Sequence, residues 1–250
     1  MSLSGYISIH AGEPVEENNA TPRHPVGTKA VTPDGRTFRY AKAGAAALAA
    51  GQLQVAADLT ALHSNLVPQA AAAIGAKTVS ITVGAAAIAA NEYIDGYLVV
   101  DDGAGEAYSY RITRHDTCTA AGGTVTFDIH PRLQVALAVA TTTVTLVRNP
   151  YSAVVIATGG TQTDIPVGVA LRTVTAAYYC WLQTGGVCSL LSSGTNTPTA
   201  GQPVTIGEAN DGSVSERDAI AEPLVGIAPT GVNATAGEHD PYFLTLEASG

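Results

Sequence analysis

His115-Asp116-Thr117-Cys118 and Glu238-His239-Asp240 are the densest clusters of metal-ligating and acid–base side chains in the sequence. Zinc is held by Cys and His in short paired spacings, and neither cluster offers such pairs. Asp101-Asp102 and Asn210-Asp211-Gly212 carry oxygen ligands, yet neither fits the twelve-residue loop that wraps calcium. All four read as solvated turn residues. Nucleophile and phosphate chemistry have no motif either: there is no G-x-S-x-G elbow, no G-x-x-x-x-G-K-[ST] loop and no H-E-x-x-H pair. Gly103-Ala104-Gly105-Glu106-Ala107 resembles part of a dinucleotide loop, but that loop must open a helix whose N-terminus faces a pyrophosphate. Here it opens a β-prone run and predicts a hairpin turn. His10, His24, His63 and His130 stand alone and read as structural or exposed. Two carboxylates for glycoside hydrolysis could meet only in space, and a chain with 6% aromatics and one Trp is poorly supplied to line a sugar cleft. We therefore expect no enzymatic activity, no cofactor and no metal site.

The elements that would position any site follow from composition. Of 250 residues, 46% are hydrophobic and 13% charged, with a net charge of −9. An ordinary soluble chain carries about 25% charged residues. Half that figure leaves too thin a charged coat for a dispersed monomer, and it predicts surface kept against other subunits. The only lysines are Lys29, Lys42 and Lys77, so a clustered basic face for nucleic acid is not expected. No run of about 20 apolar residues suggests a membrane helix, and the first residues lack the basic and apolar stretches of a signal peptide.

Residues 1–28 mix Pro, Asn, Glu and Gly and predict an extended arm, either disordered or ordered against a neighbour, because each proline removes a donor and biases its predecessor. Pro33-Asp34-Gly35 between two β-prone runs predicts a turn, with Arg36, Phe38 and Tyr40 on one face of the second strand. Residues 41–75 are ambiguous: a short helix near 52–63 competes with extended segments and loops, and we favour the latter. From 77 onward, period-two alternation predicts strands at 78–83, 97–100, 108–113, 124–129 and 141–147, with Asn149-Pro150 as a break. The expected fold is all-β, two small β-barrel or sandwich domains with little helix: an arm at 1–28, a β-rich domain at 29–150 and a small β-barrel domain at 151–250.

The last segment carries a candidate internal repeat. Val167-Gly168-Val169-Ala170 with Val174 and Ala176, and Val225-Gly226-Ile227-Ala228 with Val232 and Ala234, both fit V-G-[VI]-A-x-x-x-V-x-A. Each leads to an aromatic strand, so the copies would be equivalent strands of one barrel. Cys180 and Cys188 flank Trp181–Val187, which predicts a hairpin tip. They are open to a cross-strand disulfide or to two buried thiols; with Cys118 the count is odd, which argues against a disulfide framework. Phe38, Tyr40, Tyr178, Tyr179 and Trp181 are the aromatics that would anchor a core or a partner interface.

Residues 34–44 and 97–108 resemble segments of virion structural proteins of tailed bacteriophages, and Pro166-Val167-Gly168-Val169-Ala170, with its Gly-rich hairpins, is similar to small β-barrel capsid decoration (cement) proteins. The similarity spans about 26 to 247 in diffuse motifs and transfers no functional residue. It implies a protein made in the host cytoplasm and located in the virion, on the outer surface of an icosahedral head. Its partners would be the major capsid protein and copies of itself, with no nucleic acid or membrane. A tail-fibre or receptor-binding module and a polysaccharide hydrolase are the alternatives.

Overall fold

The computed structural model describes residues 6–8, 15–119, 122–139, 141–230 and 235–247. In chain order it begins with β1 (Tyr6–Ser8), β2 (Lys29–Val31), β3 (Thr37–Lys42) and β4 (Leu53–Val55). One turn of 3-10 helix follows at Ala61–His63, then β5 (Thr78–Thr82), β6 (Tyr97–Asp102), β7 (Ser109–His115), β8 (Thr124–His130) and β9 (Thr143–Val147). The chain continues through β10 (Val155–Ile156), β11 (Pro166–Ala170), β12 (Tyr179–Leu191), β13 (Pro203–Ile206), β14 (Val214–Glu216), β15 (Gly226–Ile227) and β16 (His239–Thr245). The all-β expectation holds.

Two compact units form, one from Met1–Ala57 with Pro150–Gly250 and one from Asp58–Asn149. The division expected at 29–150 is corrected: residues 29–57 belong with the C-terminal strands. The cause is long-range pairing. β3 lies antiparallel to β12 from Tyr179↔Lys42 to Gly185↔Thr37, and β4 pairs both β10 and β11.

The Asp58–Asn149 unit is an antiparallel sheet in the order β5-β8-β7-β6-β9. Its alternating strands send Val79, Ile81, Leu98, Val100, Tyr110, Ile112, Val125, Phe127, Val144 and Leu146 into one core. Apolar burial of this kind, at roughly 25 cal/mol per Å², is what holds such a sheet together. The β6–β7 hairpin turns at Gly103 and Gly105, both at positive φ. A Cβ on Gly103 would fall 1.9 Å from the Thr141 carbonyl oxygen, so the turn needs glycine there.

The other unit has the sheet order β1-β2-β3-β12-β16-β15-β13-β14, with β11 also beside β12. The Pro33-Asp34-Gly35 turn joins β2 to β3 as expected, with Gly35 at φ +83. The Thr32 hydroxyl donates to the Asp34 carboxylate, which, ahead of the Arg36 contacts, holds that carboxyl below its ordinary value. The hairpin tip expected at Trp181–Val187 is corrected. β12 is a single strand of 13 residues running through both cysteines; its register on β3 shifts between Gln183 and Gly185, and from Gly185 onward it pairs β16.

Both copies of the V-G-[VI]-A segment are strands, β11 and β15, and they pair alike. Val169 lies between Leu53 and Gln183, and Ile227 lies between Pro203 and Phe243. Beyond them, Gln183 pairs Phe38 and Phe243 pairs Val187. Each copy thus has a four-strand order a-d-c-b: β3-β12-β11-β4 in the first and β12-β16-β15-β13 in the second, with β12 shared. Turns preceding the b strands also match, since Gly51 N–H donates to Ala170 and Gly201 N–H donates to Ala228, each at 2.8 Å. The Val232 and Ala234 positions of the motif lie outside the described residues.

Candidate functional site

The clusters that the sequence singled out serve as fastenings. His115, buried at the end of β7, accepts a hydrogen bond at Nε2 from the Tyr93 N–H at 2.9 Å and donates from Nδ1 to the Asp116 carbonyl at 2.8 Å. Its second neighbour, Phe127, lies 5.0 Å away between ring centroids. Both ring nitrogens are engaged only in the neutral tautomer, and burial, the largest influence, pushes the imidazole pKa down. His63, also buried, contacts the Tyr93 hydroxyl. Asp240 points inward and accepts from Ser192 at 2.8 Å, while His239 faces outward. Asp101 accepts from the Thr143 and Thr145 hydroxyls; Asp211 accepts from Gly159 N–H at 2.9 Å. Among the described residues, no three His, Cys, Asp or Glu side chains gather to hold a metal ion.

The His115 arrangement makes stability pH-dependent. Unfolded, the imidazole titrates near 6.5; folded, it titrates lower. Between those values the unfolded chain holds the extra proton, so stability is fully present above 6.5 and is lost as pH falls through the folded value. His115→Leu should cost about 1–3 kcal/mol by leaving the Tyr93 N–H and Asp116 carbonyl unpaired. It should also flatten the part of the pH–melting profile of the Asp58–Asn149 unit that lies below about 6.5. Parallel pH profiles for the two proteins would refute the assignment.

None of the three cysteines forms a disulfide, and all are buried. Burial pushes the Cys180 and Cys188 thiols up to about 12, so both stay protonated and unreactive. The aromatics expected to anchor a core or a partner interface, with Phe38, Tyr40, Tyr178 and Trp181 as the candidate partner contacts, divide. Phe38, Tyr40 and Trp181 are fully buried in one cluster with Ala30, which corrects their role to core. Tyr178 is half-buried and packs against the neighbouring cluster around Ala41 and Leu182.

Sequence reasoning missed Glu17. It is 3% exposed, accepts the Tyr40 hydroxyl at 2.9 Å and Asn19 Nδ2 at 2.8 Å, and has the Arg23 guanidinium at 3.7 Å. Burial, more than this carboxylate, holds the Tyr40 phenol above its ordinary value. Asn19 exchanges backbone hydrogen bonds with Tyr179 at 3.1 and 2.8 Å. The described part of the expected arm, residues 15–28, is therefore laid on its own sheet, and the rest, apart from the β1 backbone, lies outside the described residues. Glu16-Glu17-Asn18-Asn19 carries no apolar residue, so nothing in its pattern announced a buried carboxylate.

Two hollows remain. One, of about 500 Å³, is lined by Asp34, Arg36, Gly186, Val187, Phe243 and Glu247 among others. The second, of about 550 Å³, lies in the Asp58–Asn149 unit beside Lys77, His130 and Arg132. The first opens beside an apolar row: Val187, Phe243 and Ile227 are 61%, 49% and 40% exposed. Large apolar side chains also stand out elsewhere, Leu59, Leu62 and Ile74 in one unit and Ile165 and Ile220 in the other.

No family model, curated protein or solved structure matches the chain. Identity therefore rests on what the surfaces and fastenings can do. No helix among the described residues is long and apolar enough to cross a membrane.

Proposed function

We propose that the chain is a virion structural protein of the capsid decoration (cement) kind, which binds the outer surface of an icosahedral head and stabilises it by bridging subunits of the major capsid protein. The observation that carries this reading is the exposure of large apolar side chains on both units, with Ile74 69% and Ile220 93% exposed. A bridging protein needs two separate contacts, and each unit supplies one. A net charge of −9 disfavours contact with packaged DNA and suits an outer position. Binding only the assembled lattice stabilises it by mass action, which calls for no reactive group.

Purified protein added to heads that lack it should bind saturably and raise the temperature at which the heads come apart. Absence of saturable binding, or binding with no gain in resistance to heat, would overturn the proposal. Ile74→Asp should weaken attachment without changing the circular dichroism of the free protein.

A further inference from the structure

Lys77, His130 and Arg132 line one hollow of about 550 Å³ in the Asp58–Asn149 unit. Lys77 immediately precedes β5, His130 closes β8 and Arg132 follows it by two residues. Register brings the two strand ends together, since the Ile129 N–H donates to the Lys77 carbonyl at 2.8 Å. Carboxylates are not scarce in this unit, which holds eight Asp and Glu against five Lys and Arg. Three of the five are paired: Arg111 with Asp95, Arg114 with Asp116 and Arg148 with Glu92. Among the described residues, the other two, Lys77 and Arg132, have no carboxylate partner. No Asp or Glu lines the hollow. Asp128, the acid nearest to it along β8, stands opposite Arg114 in the register. His63 and His115, the remaining histidines of the unit, are buried, whereas His130 is exposed. The two unpaired cations of the unit and its one exposed histidine thus border a single space.

We propose that this hollow binds a sugar carrying a carboxylate or phosphate group. Like charges gathered at one place repel, and a bound oxyanion supplies the counter-charge that no side chain there provides. The Arg132 fork and the Lys77 ammonium are the donors for it, through charge-assisted hydrogen bonds. The volume lies within the range of about 300–1,000 Å³ typical of small-molecule sites, which is more than a bare oxyanion fills. The rest of the lining says what else the ligand carries. Thr113 and Gln134 border the same hollow. The Thr113 hydroxyl donates to the Asp128 carbonyl at 3.1 Å, and Gln134 Nε2 donates to the Arg132 carbonyl at 2.8 Å. With those protons committed, Thr113 Oγ1 and Gln134 Oε1 are left as acceptors, which suits hydroxyl groups on the ligand. An oxyanion for the cations and hydroxyls for the acceptors together describe an acidic sugar.

This inference does not rest on attachment to a shell and is read on the free protein. In isothermal titration of the full chain, glucuronate or glucose 6-phosphate should bind saturably, one per chain, and glucose should not. Lys77→Ala and Arg132→Ala, both at exposed positions, should each weaken that binding at least about tenfold, with unchanged circular dichroism. Arg114→Ala removes the same charge from the same unit outside the hollow and should change the affinity less than about twofold. Hyaluronate, which repeats glucuronate along a chain, separates two sources of the ligand: competition marks a sugar within a polysaccharide, and its failure marks a free sugar acid, the site standing in either case. No saturable binding of either anion, binding indifferent to Arg132→Ala, glucose bound as well as glucose 6-phosphate, or inorganic phosphate bound as tightly as glucose 6-phosphate, which would mean an adventitious ion only, would each overturn the proposal.

Discussion

Trp181→Ala should cost about 3–5 kcal/mol, the range for truncating a large buried aromatic. The indole is 1% exposed. It meets Tyr40 edge-on at 4.9 Å between ring centroids and His24 at 5.4 Å, and it shares its cluster with Ala30 and Phe38. Its Nε1 is buried without a hydrogen-bond partner, so the loss is one of packing and cavity formation, and Trp181→Phe should recover most of it. The chain has a single tryptophan, and it sits in the unit of Met1–Ala57 and Pro150–Gly250. Fluorescence of the parent protein therefore reports that unit alone; the alanine variant must be followed by circular dichroism. The transition of the Asp58–Asn149 unit should stay where it was. A cost no larger than the ~0.5 kcal/mol of a surface substitution, or an equal drop in both transitions, would count against this account of the core.

The local part of the fold was legible because it is written in local chemistry. Thr78–Thr82 and Thr124–His130 alternate with period two, and their buried positions are the apolar ones. Pro33-Asp34-Gly35 turned where φ demanded it. What was not legible was partnership at a distance. Gly185-Gly186 looks like a turn in one dimension, yet it continues a strand just past a register shift between Gln183 and Gly185, where close approach calls for glycine: a Cβ on Gly185 would sit 2.4 Å from the Thr37 hydroxyl oxygen. Phe38, Tyr40 and Trp181 were rightly seen as anchors, but whether an aromatic faces a core or a partner depends on what crosses above it. Here part of that cover is the segment at 15–28, through Val15 and His24. The open row of Val187, Phe243 and Ile227 was hidden for the same reason. Its residues come from three strands separated by up to 56 positions (243 − 187), and only register brings them side by side.

Excision of residues 58–149, with Ala57 joined to Pro150 through a short turn, should leave the remaining unit folded. Val55 pairs Val155 and Gln54 pairs Ile156, so the excursion leaves and rejoins the sheet at neighbouring strand ends, as the loop of a hairpin does. The repeat supplies a precedent inside the same molecule. In the second copy, the connection from β13 to β15 is closed by residues 207–225 and one short strand, β14. In the first copy, the corresponding connection from β4 to β11 carries the whole Asp58–Asn149 unit. The a-d-c-b arrangement thus needs no large insertion to close. Loop-closure entropy also rises slowly with length, by about 0.6 kcal/mol per doubling, so shortening the loop should not weaken what remains. The excised piece keeps all five strands of its own sheet and an unshared core around Tyr110 and Phe127, and should fold alone. The shortened chain should keep the buried-tryptophan emission of Trp181 and melt in one cooperative transition. Red-shifted emission with loss of cooperativity would mean that the insertion is required for the sheet whose chain it interrupts, and that the likeness of the two repeats does not extend to how each one closes.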